Sequence, residues 1–181
     1  LILSEGAGIL VLETAEHAAR RGHRATIEVA GFASNADAGD IVAPSVEGMA
    51  RAMRQALVDA GTGSTDIAYI NAHGTGTTAN DRAETEAMKT VFGPSTCPPV
   101  SSTKGVTGHA LGAAGAFEAI ATVLAMGHGV APPTANFDAV DPACDLDYIP
   151  NVARQLAIPM AMSNSFAFGG LNASLVFRTL S

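Results

Sequence analysis

Residues 67–93 read IAYINAHGTGTTANDRAETEAMKTVFG, and this stretch decides the fold. An apolar run from Ile67 stops at His73, small polar residues follow, and a charged amphipathic run begins at Asp81. The first run reads as a buried strand. Asp81 with Glu84 three residues later has the form of a capping box opening a helix. A strand that passes through a glycine-rich turn into a helix is the unit of a layered α/β protein.

The alternation recurs on both sides. ATIEVAGFASNAD (25–37) reads as a strand, and PSVEGMARAMRQALVDAG (44–61) as a helix. Its apolar residues Met49, Ala52, Met53, Ala56 and Leu57 form one stripe, with Ser45 as N-cap and Gly61 as C-cap. PPVSSTKG (98–105) reads as a short buried strand running into the helix GHALGAAGAFEAIATVLAMGHG (108–129). That helix is apolar nearly all round, with small residues from Gly112 to Ala116 permitting close approach, and is expected to be central. A proline-rich loop covers 130–151, and two strands, MAMSNSFAFGG (160–170) and NASLVFRT (172–179), meet at Gly169–Gly170.

The first residues, LILSEGAGILVLE, read as the end of one strand, a glycine turn and a second strand over Gly8–Leu12. The short helix ETAEHAARRG follows, closed by Gly22. There is no initiator Met or basic leader, so the segment is not a signal peptide. Two strands with nothing before them leave a sheet incomplete. The chain is therefore expected to be the C-terminal part of something longer, or one half of a two-part assembly.

Composition narrows the function classes. A formal charge of -7 with only 10 Lys and Arg argues against nucleic acid. No stretch reads as long and unbroken enough to span a bilayer. The two cysteines, Cys97 and Cys144, suit a reducing compartment, hence the cytoplasm, better than a disulfide framework.

Three residues fall where strands end and helices begin: His73, Lys104 and His109. In α/β sheets ligands bind at the carboxyl ends of the strands. A neutral histidine aimed into a dry pocket can stabilise an oxyanion or enolate, and a helix N-terminus would keep His109 neutral. Each also has a plain structural reading. A histidine after a strand can be a satisfied loop residue, Lys104 a snorkelling surface lysine, and Glu118 a carboxylate bonded to backbone. Two histidines without Cys or carboxylate at ligand spacing make a poor zinc site. GHALGAAG lacks the Gly-Lys-Ser/Thr ending of a phosphate-binding loop.

Taken in order, NAHGTGT, SSTKGVTGHALGAAGA, PPTANF, CDLDYIPN and SNSFAFGGLNASLVF resemble the C-terminal half of the β-ketoacyl-acyl carrier protein synthases. These are the condensing enzymes of fatty acid and polyketide synthesis, and the resemblance covers essentially the whole chain. It implies the thiolase fold, built of two similar α/β halves. Residues 1–24 would be the last strand and helix of the N-terminal half, and 25–181 the C-terminal domain, a mixed sheet flanked by helices. The implied reaction is a decarboxylative Claisen condensation of malonyl-acyl carrier protein with an acyl thioester held on a cysteine.

The resemblance assigns His73 and His109 to the malonyl thioester carbonyl. Lys104 matches the family's active-site lysine, with Glu84 as its ion-pair partner. Thr75 and Thr77 match the lining of the pantetheine channel. Phe168 matches the gating phenylalanine, whose backbone N–H also helps form an oxyanion hole, and Phe166 is its companion on the substrate side. Glu118, Ser163 and Asn164 match positions near a structural monovalent cation of some members. No organic cofactor is implied, since phosphopantetheine arrives on the carrier protein. The implied partners are a cysteine-bearing N-terminal half, acyl carrier protein, and a second subunit, identical or a chain-length factor.

Two positions depart from the family: Ala167 replaces a glycine between the phenylalanines, and Leu171 a common threonine. Neither Cys97 nor Cys144 lies at a helix N-terminus or beside a base, the contexts that activate a thiol. Alone, the chain is expected to condense nothing. A second reading is a non-catalytic, chain-length-factor-like partner. His73, Lys104 and His109 together favour the catalytic reading. The pairing of HGTGT with TKGVTGH is closer to the two-histidine elongating enzymes than to initiating synthases or thiolases.

Overall fold

The structure, a computed structural model, describes residues 1–180, and Ser181, the end of the expected 25–181 domain, lies outside them. Its centre is a five-stranded mixed sheet. In chain order the strands are β1 (Ile27–Ala36), β2 (Tyr69–Asn71), β3 (Val100–Ser101), β6 (Met160–Ala167) and β7 (Leu171–Thr179). They lie side by side as β1-β7-β6-β2-β3. The β1–β7 and β7–β6 pairs are antiparallel, and β6–β2 and β2–β3 are parallel. A separate pair, β4 (Val130–Ala131) with β5 (Arg154–Gln155), was not anticipated from the sequence.

Successive residues of a strand face opposite sides, and each side has its own core. Ile70, Met162 and Val176 face helices α2 (Val46–Asp59) and α3 (Thr78–Phe92), packing with Met49, Met53, Ala56 and Met88. Tyr69, Ala161 and Phe177 face α5 (Ala114–His128), packing with Ala119, Ala125 and Met126. All five residues of the α2 stripe are buried, and Ser45 caps its first turn through Gly48 N–H. Gly31 allows α2 to lie against β1: a Cβ there would stand 2.5 Å from main-chain atoms of Ala56 and Ala60.

Three expectations are corrected. Helix α3 begins at Thr78, its N-cap is Thr77, and Asp81 and Glu84 form no capping box. The Thr77 hydroxyl reaches the helix end first, freeing Glu84 for other partners. No strand forms over Gly8–Leu12. Within residues 1–14 only Leu3 makes a bridge, to His109, and Ile9, Val11 and Leu12 are exposed with no strand beside them. The helix expected there is α1 (Ala15–Arg20).

The third correction concerns the apolar helix. Residues 111–128 do reach the length and composition of a membrane span. The segment nonetheless packs one face on the sheet and carries Glu118 in a buried ion pair, as a core helix does. Its other face, with Leu124 54% exposed, is uncovered, so α5 is buried on one side only.

Candidate active site

The parallel strands β2 and β3 end together, and the candidate residues gather there. β2 stops at Asn71, and the turn 72–77 carries His73 before Thr77 caps α3. β3 stops at Ser101, and Lys104 opens the short helix α4 (Lys104–Thr107). His109 follows Gly108, in the link to α5. The ring centroids of His73 and His109 are 5.3 Å apart and nearly perpendicular. His109 lines an open cleft of about 480 Å³ together with Thr75, Glu84, Lys104, Phe137 and Tyr148, among others; His73 is buried behind it, and only its neighbours Ala72 and Gly74 reach the lining.

Both rings are held neutral. Burial first, then the nearby Lys104 charge and the repulsion His109 would exert if protonated, push His73 down to about 3 from the ordinary 6.5. Burial, and next Lys104, lower His109. Desolvation, more than the helix terminus expected from sequence, is therefore the main cause. His109 Nδ1 accepts the Leu111 N–H at 3.2 Å, which leaves the proton of the neutral ring on Nε2, a donor. His73 Nδ1 is buried without a hydrogen-bond partner.

Lys104 is paired, but with Glu118 and not Glu84. Its Nζ contacts Glu118 Oε1 in a buried ion pair and donates to the His73 carbonyl. Glu118 comes from the α5 turn facing β6, where Ser165 Oγ donates to its second oxygen at 3.3 Å. Burial raises the Glu118 carboxyl, opposed by Lys104 and Ser165. Glu84 instead accepts the main-chain N–H groups of His73 and Gly74, both at 2.8 Å. Burial pushes it up to about 7 against those two bonds. It is a clamp on the histidine's backbone.

The remaining assignments divide. Thr75 lines the cleft, whereas the Thr77 hydroxyl is 2.9 Å from that of Thr75 and caps α3. Phe166 is buried edge-on to His73, with centroids 6.1 Å apart, and is not among the cleft's lining residues. Phe168 is 76% exposed at the β6–β7 turn. Asp37 and Asn172, which nothing in the sequence singled out, hold that turn. Asn172 Nδ2 donates to Asp37 Oδ1 at 2.8 Å, and Asp37 N–H to the Gly170 carbonyl at 2.9 Å.

The three residues suggested for a cation do not form a side-chain cage. Glu118 faces Lys104 and Ser165. Asn164 lies on the other side of β6, accepting from Ser174 at 2.8 Å and approaching Met53. Among the described residues no three His, Cys, Asp or Glu side chains could together hold a metal. Burial pushes the Cys97 thiol up to about 12 and, as the largest cause, raises Cys144, so neither is an activated nucleophile.

The comparisons first place the chain by fold. It superposes on the solved structure titled "The ishigamide ketosynthase/chain length factor" with a TM-score of 0.96 and 45% identity, over 99% of this chain and 44% of that one. This is the thiolase fold. Residues 25–138 then match the family described as "Beta-ketoacyl synthase, C-terminal domain", and the chain belongs to the β-ketoacyl synthase family.

Among curated relatives it is 55% identical over 179 residues to "Nodulation protein E" of a Rhizobium species, covering 98% of this chain and 44% of that protein. It is 47% identical over 180 residues to "3-oxoacyl-[acyl-carrier-protein] synthase 2" of a Synechocystis species, covering 98% and 43%. The chain thus spans less than half the length of these relatives.

The neutral histidines set a pH dependence. Because the folded state holds His73 below its unfolded value, acidification from 6.5 toward 3 protonates the unfolded chain first and lowers stability. Glu84 has the opposite sign: raised from 4.5 to about 7, it contributes stability that is lost as pH rises through that range. For chemistry that needs neutral imidazoles, the acid limb of the rate profile is expected below the ordinary histidine value of about 6.5. A pH–rate profile of the reaction that the two histidines serve checks this, and a limb at or above 6.5 contradicts it.

Proposed function

We propose that this chain is the C-terminal portion of a 3-oxoacyl-acyl carrier protein synthase. Its residues 1–24 complete the cysteine-bearing N-terminal half and 25–181 form the C-terminal domain. The whole enzyme condenses an acyl thioester with malonyl-acyl carrier protein in the cytoplasm. The observation that carries this reading is the pair of neutral histidines 5.3 Å apart, of which His109 lines the cleft and His73 lies buried behind it.

When the malonyl carbon–carbon bond breaks and carbon dioxide leaves, its electron pair moves onto the thioester as an enolate. His73 and His109 stabilise the enolate oxygen with fixed N–H donors, without giving up a full charge to solvent. The enolate carbon attacks the acyl thioester on the cysteine, and the cysteine thiolate leaves. Lys104 holds the His73 carbonyl and Glu84 its N–H, so the peptide groups on both sides of His73 are fixed. Thr75, with Thr77 behind it, receives the pantetheine arm. Phe168 gates the cleft and offers its N–H to the acyl oxyanion, with Phe166 as packing beneath.

Acyl carrier protein, a cysteine-bearing half and a second subunit are the partners of this reading. The names of the Synechocystis relative and of the ishigamide structure support it. A chain-length-factor-like role is the alternative, and the presence of His73, His109 and Lys104 together favours catalysis. The test is direct: the 181-residue chain alone transfers no acyl group, and adding the cysteine-bearing half restores condensation. A covalent acyl adduct formed by the isolated chain on Cys97 or Cys144 overturns the reading.

A further inference from the structure

His109 lies in no helix or strand. Helix α4 ends at Thr107, Gly108 turns the chain with φ of 68°, and the next helical turn begins at Leu111. A residue between elements has no helix or strand of its own to hold its main chain, so bonds from elsewhere in the fold must do so. Here it is held by the first residues of the chain. His109 N–H donates to the Ile2 carbonyl at 2.8 Å, and Ser4 N–H donates to the His109 carbonyl at 3.1 Å. The two bonds form one parallel bridge centred on Leu3 and His109.

The segment is also pressed onto the site. A Cβ at Gly108 would stand 2.8 Å from Ser4 Cβ, so only glycine lets the two backbones meet. A Cβ at Gly6 would stand 2.4 Å from the Phe117 ring, which seats the following residues on α5. The Ser4 hydroxyl is buried and makes no hydrogen bond, so the backbone of Ser4, not its side chain, makes the contact. Leu1 and Ile2 line the same cleft as His109. All of these residues precede the stretch that matches the family's C-terminal domain.

We infer that Ile2–Ser4 is a positioning clamp that fixes the His109 imidazole against His73 through the His109 main chain. The inference rests on the reading that His109 acts on the malonyl carbonyl. Misplacing a catalytic group by about 1 Å can cost about 100-fold in rate, while transfer of the acyl group to the cysteine does not use His109.

Proline at position 4 removes the donor N–H, and alanine keeps it. In the enzyme completed with its cysteine-bearing half, Ser4→Pro is expected to lower malonyl decarboxylation about 10- to 100-fold. Acylation of the cysteine stays within about twofold under the same logic. Ser4→Ala is expected to keep both rates within about twofold. Should Ser4→Pro not fold, an amide-to-ester replacement at the same position removes the N–H without the ring and is read the same way.

Decarboxylation unchanged in the N–H-deleted enzyme overturns the clamp, as does an equal loss of acylation and decarboxylation. His109→Ala separates this from the site itself. If that variant decarboxylates at the parent rate, the reading of His109 fails. If it is inactive while the N–H-deleted enzyme is not, only the clamp fails.

Discussion

Replacing His73 by alanine in the completed enzyme is expected to lower malonyl decarboxylation by about 10²–10³-fold, the usual cost of removing one preorganised oxyanion donor. Acylation of the cysteine should survive, because in the proposed function His73 acts on the malonyl carbonyl and not as the base that activates a thiol. The ring is buried, neutral and aimed at no nucleophile in this chain. Release of carbon dioxide from malonyl thioester and covalent labelling by an acyl donor, measured side by side, check the split. Loss of both activities together would assign His73 to the acylation step. Decarboxylation near the parent rate would remove it from the chemistry.

Glu118→Gln is expected to destabilise the enzyme by about 3–5 kcal/mol, because it leaves Lys104 as a buried, unpaired charge. Both side chains of the pair are almost wholly buried, so solvent cannot take over the role of the lost carboxylate. The Lys104 Nζ that donates to the His73 carbonyl then loses its second anchor, and in the proposed function decarboxylation falls as well. The double change Lys104→Met with Glu118→Leu should recover much of the stability, since an apolar pair of similar volume replaces two charges. It should recover none of the decarboxylation. Unfolding midpoints and decarboxylation rates of the three proteins decide this, and a stable Glu118→Gln enzyme refutes the pairing.

The contrast between Glu84 and Glu118 shows where the sequence stops being legible. Both are carboxylates within helical stretches, and family resemblance joined Lys104 to Glu84. The choice between them depends on which helix face meets Lys104. Starting α3 at Thr78 turns Glu84 toward the His73–Gly74 main chain. Packing α5 on β6 turns Glu118 toward Lys104. A helix rotates about 100° per residue, so the register of helix against sheet selects the partner, and local sequence does not record it.

The same reasoning separates the suggested cation ligands. Ser163 and Asn164 are neighbours in sequence and therefore face opposite sides of β6. Asn164 goes to the Met53 side, away from Glu118. The N-terminal segment failed as a strand for a related reason. Its alternation is strand-like, but a strand exists only where another pairs with it along its length, and only Leu3 finds such a partner.

By itself the sequence determined most of the main elements and the place of the chemistry. Periodicity wrote α2 and its buried stripe, β-branched alternation wrote β1, and His73 and Lys104 fell just past strand ends because those are local features. Only the tertiary structure decided that Lys104 pairs with Glu118, that Glu84 grips the backbone of His73, and that residues 2–4 hold His109. Each of these joins residues from separate elements. Their meeting depends on strand order and helix rotation, which are set when the whole sheet closes.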